Sequence, residues 1–271
     1  MKRYRLSSET RYIGTAAGKM KIIIMRPRGL NGPLPGILWI HGGGYVLGMA
    51  GMVRFSAGRE LASRFGAVVV SPEYRLAGKA PYPAALEDCS AAYRYMSDNA
   101  EQLGISRDMI TVGGESAGGG LAAALCIYER DRGGPVPEMQ LPLYPMLDCE
   151  DTETSRDNHG RVWNTKRNHW GWSKYLGELY GTDRVPKYAS PSRETDYRGL
   201  PKCYTYVCDG EPFCAETLDY INNLKAAGVD AHADVFSGNV HAFDRFCFWT
   251  KEAKAAKAAL FRAYGSVRTG K

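Results

Sequence analysis

Apolar runs bounded by turn residues recur at Met20–Met25, Gly36–Ile40, Ala67–Ser71, Met109–Val112, Gln140–Leu143, Cys203–Cys208 and His232–Phe236, which predicts seven strands. Between them the apolar spacing changes to three and four. That predicts helices over Val53–Arg64, Ala84–Leu103, Ala117–Glu129, Phe213–Ala227 and Lys251–Tyr264, the second with Leu86, Cys89, Tyr93 and Met96 on one face. Strands alternating with helices in this way build a mostly parallel sheet covered on both faces. The stretch Cys149–Arg198 interrupts the rhythm: it is polar, has no strand signal and holds Trp163, Trp170 and Trp172, three of the five tryptophans. We read it as an insertion, helical in part from about Trp163 to Tyr180. In an open α/β sheet, ligands bind beyond the carboxyl ends of the strands. Its aromatics therefore either form a lid over a pocket or anchor the insertion to the core, and the pattern supports both readings equally.

Length and composition narrow the class. At 271 residues the chain is within reach of one α/β core, so we expect a single domain over 1–271 with 149–198 as a cap or lid insertion. A hydrophobic fraction of 44% with 24% charged residues excludes disordered, collagen-like and coiled-coil chains. No apolar run approaches the roughly 20 residues of a membrane helix. The opening MKRYRLSSETRY has basic residues with no apolar stretch behind them, so neither a membrane span nor secretion by the usual signal is expected. The net charge of +6 is scattered, with no block of five basic residues, and reads as solubility charge. A nucleic-acid partner would need a basic and aromatic stripe, and the nearest, Arg161–Trp170, reads as the solvated face of the insertion. Seven cysteines without C-x-x-C, and no H-E-x-x-H, point to reduced thiols in a cytoplasm and to no metal.

Candidate chemistry lies at two glycine-rich turns. Ile110–Leu121 reads as strand, turn and helix, with Gly114-Glu115-Ser116-Ala117-Gly118 at the turn. A nucleophile on so tight a turn leaves no room for neighbouring Cβ atoms. Such a pattern arises by chance in about one chain in five of this composition, so the strand before and the alanine-rich helix after carry the assignment. Upstream, an apolar strand ends in His41-Gly42-Gly43-Gly44. Unscreened backbone N–H groups there suit an oxyanion, and Gly43, Gly44 and Ala117 are the expected donors, with His41 orienting the loop. A serine hydroxyl needs a base. Of five histidines, His41 belongs to the glycine loop, His159 and His169 lie in the insertion, and His232 opens a strand. His241 remains, in a loop after the last strand and last in chain order, as an α/β hydrolase requires. The acid that fixes the histidine tautomer is expected after Cys203–Cys208, where Asp209 and Glu211 compete evenly.

With these motifs in order, the chain resembles the hormone-sensitive-lipase-like esterases of the α/β-hydrolase fold, in the bacterial branch with an acidic residue before the nucleophile. The resemblance spans about Arg26 to Phe246, through HGGG at 41–44, YRLA at 74–77 with PYPA at 81–84, GESAGG at 114–119, YPMLD at 144–148 and GNVHAF at 238–243. It implies a Ser–His–acid triad, hydrolysis of short-acyl carboxylic esters as small-molecule substrates, and no cofactor. Where that family has Asp-Pro-Leu and an acidic pair, this chain has Glu211-Pro212-Phe213-Cys214-Ala215-Glu216, and aligning on the proline makes Glu211 the acid. Members commonly carry two amino-terminal cap helices, and only about 20 residues precede the first long strand expected here. A reduced cap leaves the acyl pocket open, or covered by the insertion or by a second subunit in a homodimer.

The competing functions are amide hydrolysis by a peptidase or arylformamidase on the same triad, and a ligand-binding protein of this fold that has lost its triad. Nothing in the chain supplies an acidic cluster for a free amino terminus, and both Ser116 and His241 are present.

Overall fold

The computed structural model describes residues 3–269. Eight strands form one sheet: β1 (Leu6–Thr15), β2 (Gly18–Pro27), β3 (Leu34–Ile40), β4 (Val68–Pro72), β5 (Ile105–Glu115), β6 (Met139–Leu143), β7 (Lys202–Cys208) and β8 (Ala231–Phe236), in the order β1-β2-β4-β3-β5-β6-β7-β8. From β4 to β8 all neighbours are parallel, and β2 alone runs against the others, paired antiparallel to β1 on one side and to β4 on the other. The helices are α1 (Ala57–Phe65), α2 (Ala84–Asp98), α3 (Ala100–Leu103), α4 (Ala117–Asp131), α5 (Thr165–Leu176), α6 (Cys214–Ala226), α7 (Phe243–Phe246) and α8 (Lys251–Thr269). This is the expected α/β architecture.

The period-2 alternation divides the core. On β3, Leu38 and Ile40 join Val68, Val70 and Val112 in the layer filled by α2, α4 and α6, whereas Ile37 and Trp39 face α1 and α8 with Val69 and Leu141. Strands buried on both faces read as continuous apolar runs, and these were the visible ones. β1 was not among the seven expected, because Ile13 is its only fully buried residue. The residues ahead of β2 form an edge strand paired from Leu6↔Pro27 to Thr15↔Gly18.

Helix boundaries shifted for local reasons. The helix expected from Val53 is a 3-10 turn over Ala50–Phe55, then α1, whose Ser56 cap accepts from the Arg59 amide at 3.2 Å. The helix expected over Ala84–Leu103 breaks at Asn99 into α2 and α3. Within the insertion, α5 is shorter than the expected Trp163–Tyr180. Of its three tryptophans, Trp163 and Trp172 are buried in the core and Trp170 is 43% exposed.

Candidate active site

Ser116 sits between β5 and α4 with φ 59 and ψ −122, a left-handed backbone that a non-glycine residue holds at a cost of about 1–3 kcal/mol. The flanking glycines make that turn possible. A Cβ on Gly114 would lie 2.3 Å from the Gly118 carbonyl oxygen, and one on Gly118 would lie 2.2 Å from that of Ile40. The turn is held by the Ser116 amide, which donates to the Leu143 carbonyl at 3.0 Å, and by the Ser116 carbonyl, which accepts from the Met146 amide at 3.1 Å.

Beyond β8, His241 turns its ring to the serine: Nε2 lies 2.8 Å from Ser116 Oγ. Its Nδ1 meets the Glu211 carboxylate. A carboxylate there accepts, which assigns the proton to Nδ1 and leaves Nε2 free to accept from the hydroxyl. The imidazole is fixed edge-on by Phe213 at 5.0 Å and Tyr144 at 5.2 Å between ring centroids. Glu211 is fully buried and accepts from the Cys208 amide at 3.2 Å through its other oxygen. Burial pushes its carboxyl up, and His241 works against that rise.

Asp209, the competing acid, does something else. Its carboxylate accepts from the Gly238 amide at 2.9 Å, pinning the glutamate loop to the histidine loop, and among the described residues it forms no hydrogen bond with His241. The proline of the 211–216 motif does not open the next helix directly, since α6 begins two residues later at Cys214.

Past β3, Gly43 (φ 125) and Gly44 (φ 58) turn the backbone through conformations that favour glycine. Among the described residues, the amides of Gly43, Gly44 and Ala117 have no acceptor. His41 orients this loop: its Nδ1 donates to the Gly42 carbonyl at 2.8 Å, and its ring stacks on Tyr74 at 4.2 Å. Burial pushes its imidazole down, toward the neutral form.

Except for Glu115, which lies in the serine motif, several neighbours had no local sequence signal. Beneath the histidine, Asp244 accepts from the hydroxyls of Tyr144 and Tyr206, each at 2.9 Å, and pairs with Arg245 at 2.9 Å. Glu115, just before the serine, accepts from the Ala57 amide at 3.1 Å and pairs with Arg245 at 3.4 Å; burial pushes its carboxyl up. Burial works against the Arg245 charge, but the Glu115 and Asp244 carboxylates outweigh it and keep the guanidinium protonated well above its ordinary range. From the insertion, the Trp163 ring lies on Gly44, where a Cβ would come within 2.1 Å of it. Among the described residues no group of three or more His, Cys, Asp or Glu side chains is placed to hold a metal ion, and no helix is long and apolar enough to cross a membrane.

A parallel sheet with a strained serine at the end of its central strand, facing a histidine and a carboxylate from later strand ends, defines an α/β hydrolase. Residues 37–245 match the family described as alpha/beta hydrolase fold. Among curated proteins the chain is similar to "Esterase LipI" of Mycobacterium tuberculosis, at 33% identity over 77% of this chain and 65% of that protein. It is also similar to "Carboxylesterase NlhH" of the same species, at 32% over 85% of this chain and 74% of that one. The solved structure titled "Bacterial Heroin Esterase" superposes with a TM-score of 0.92 at 32% identity, covering 97% of this chain and 84% of that one. The chain thus spans just under two thirds of LipI and about three quarters of NlhH. It belongs to the hormone-sensitive-lipase-like esterase family of the α/β-hydrolase fold.

Proposed function

We propose that this chain is a serine carboxylesterase that hydrolyses short-chain acyl esters through Ser116, His241 and Glu211 and an acyl-enzyme intermediate. The observation that carries the reading is the 2.8 Å approach of Ser116 Oγ to His241 Nε2, on an imidazole whose far nitrogen faces Glu211. In the first half-reaction Ser116 attacks the ester carbonyl while His241 takes its proton. The amides of Gly43, Gly44 and Ala117 receive the oxyanion, where fixed dipoles need no reorganisation. His241 then protonates the departing alcohol, and water repeats the sequence on the acyl-enzyme. Glu211 holds the imidazole in its tautomer and stabilises the imidazolium.

The short-acyl preference is supported by Trp163, 8% exposed, which fills the space beside Gly44. On this reading 149–198 caps the site of a single 1–271 domain. A cytoplasmic setting is supported by seven free cysteines, five of them buried. The experiment is turnover of p-nitrophenyl esters from acetyl to palmitoyl at pH 7–8 beside Ser116→Ala. Short-chain turnover that falls by about 10⁴ or more in the variant is expected. Wild type and variant equally inert on every ester would overturn the reading.

A further inference from the structure

The loop that carries Glu211 has little holding it from within. The Glu211 amide reaches the Cys208 carbonyl only at 3.4 Å, the Cys214 amide reaches the Glu211 carbonyl at 3.3 Å, and Phe213, the N-cap residue of α6, offers no side-chain cap. The histidine loop ties it on one side, through the Gly210 amide on the Gly238 carbonyl at 2.8 Å and the Asp209 carboxylate on the Gly238 amide, and its other tethers come from the insertion. Thr154 Oγ1 donates to the Pro212 carbonyl at 2.9 Å and accepts from the Ala215 amide at 3.1 Å, supplying from elsewhere in the chain the acceptor that a helix start needs. Asn158 Nδ2 donates to the Gly210 carbonyl at 3.2 Å and to the Thr154 carbonyl at 3.1 Å. The carbonyls immediately before and after Glu211 are thus each held by one insertion side chain.

The insertion is itself fastened where it makes these contacts. The Asn158 amide donates to Thr165 Oγ1 at 2.8 Å, and that hydroxyl donates to the Ser155 carbonyl at 2.6 Å. Nearer β6, the Leu147 amide donates to Glu216 on the first turn of α6 at 2.6 Å. A segment so tied transmits position rather than swinging clear of it.

We propose that Thr154 and Asn158 are positioning residues for the triad acid: by holding the Gly210 and Pro212 carbonyls they fix Glu211 against His241. The inference rests on the serine-hydrolase reading above. Both side chains act through the loop backbone and not on the groups assigned to the reaction, so their loss is expected to lower turnover per active serine and leave KM in place. A displacement of about 1 Å in a catalytic group can cost about 10²-fold, and a partial loosening is expected to cost about tenfold.

The test measures kcat and KM on p-nitrophenyl acetate, with kcat divided by the serine concentration titrated by a fluorophosphonate, so that misfolded protein is not counted. Thr154→Val keeps shape and removes both bonds; a drop of about tenfold at unchanged KM is expected, with Thr154→Ser restoring most of the turnover. Asn158→Ala, at a half-buried position outside the core, gives a second route should the valine variant fold poorly. Turnover per serine within about twofold of wild type in Thr154→Val or Asn158→Ala, or a serine variant no better than valine, would overturn the positioning role. That failure is separate from failure of the serine-hydrolase reading, in which wild type itself neither titrates nor turns over.

Discussion

The serine side and the glutamate side of this site are built from different kinds of contact. At the serine turn, backbone meets backbone: Cβ atoms on Gly114 or Gly118 would stand 2.2–2.3 Å from main-chain oxygens. At the glutamate loop, Thr154 and Asn158 reach across from a segment more than fifty residues away in sequence. A backbone-on-backbone approach has one chemical solution, glycine, which is printed in the sequence next to the residue it serves. A side-chain bridge has many solutions, so its residues look like any other polar residues.

The sharpest way to break this comparison is at the two carboxylates. Glu211→Gln keeps the size of the side chain but removes the charge that, on the proposed mechanism, stabilises the imidazolium, and kcat is expected to fall by about 10³–10⁴. Asp209→Asn keeps an oxygen able to accept from the Gly238 amide and is expected to stay within about twofold. Ester turnover of the two purified variants measures both. The opposite order would give Asp209 the role assigned to Glu211.

A second test compares two glycines whose obstructions differ in kind. Gly118→Ala drives a methyl into the Ile40 and His41 carbonyls, which cannot move aside. A destabilisation of about 1–3 kcal/mol is expected, with a loss of activity that no neighbouring truncation repairs. Gly44→Ala meets the Trp163 ring instead. Alone it is expected to lower kcat by about 10², if the Gly44 amide serves the oxyanion as proposed. Combined with Trp163→Ala it should recover, leaving about 1 kcal/mol of strain from the positive φ at Gly44. A double-mutant cycle reads the coupling: strong for Gly44 with Trp163, absent for Gly118 with Trp163. Chain-length profiles of the same proteins sharpen the specificity reading, with Trp163→Ala expected to shift the preferred ester to longer acyl groups.

Legibility in the sequence followed the same division. Gly43, Gly44 and Ser116 lay inside glycine motifs that require their geometry, and the continuous apolar runs of β3 to β7 announced a sheet buried on both faces. His241 was reached by elimination among five histidines, and its contact with Ser116 depends on loops 125 residues apart. Between Asp209 and Glu211 the residues alone gave no preference, because the choice is made by which carboxylate the loop turns inward. Thr154 and Asn158 stand in the polar run Asp151–Gly160, where nothing local separates a bridging side chain from a solvated one. β1 escaped notice for a related reason: its pairing is main-chain, and an edge strand with one buried residue carries almost no hydrophobic signal.

The smallest expected effect lies where the insertion leaves β6. Glu216 is fully buried; its Oε1 accepts from the Leu147 and Asp148 amides, and its Oε2 has no partner among the described residues. Burial pushes its carboxyl well above the ordinary value of 4.5. An unfolded chain ionises this group near that ordinary value while the folded protein resists, so its contribution to stability is complete at low pH and drains away as pH rises. Glu216→Gln keeps an oxygen for the two amides and cannot ionise. Its Tm should therefore match wild type near pH 4 and exceed it increasingly toward pH 8, where about 1 kcal/mol corresponds to roughly 2–4 °C. Thermal unfolding across that range decides it. A difference that stays flat with pH would mean that Glu216 is ionised in the folded protein, and that the insertion is anchored there by a charge rather than by a neutral acid.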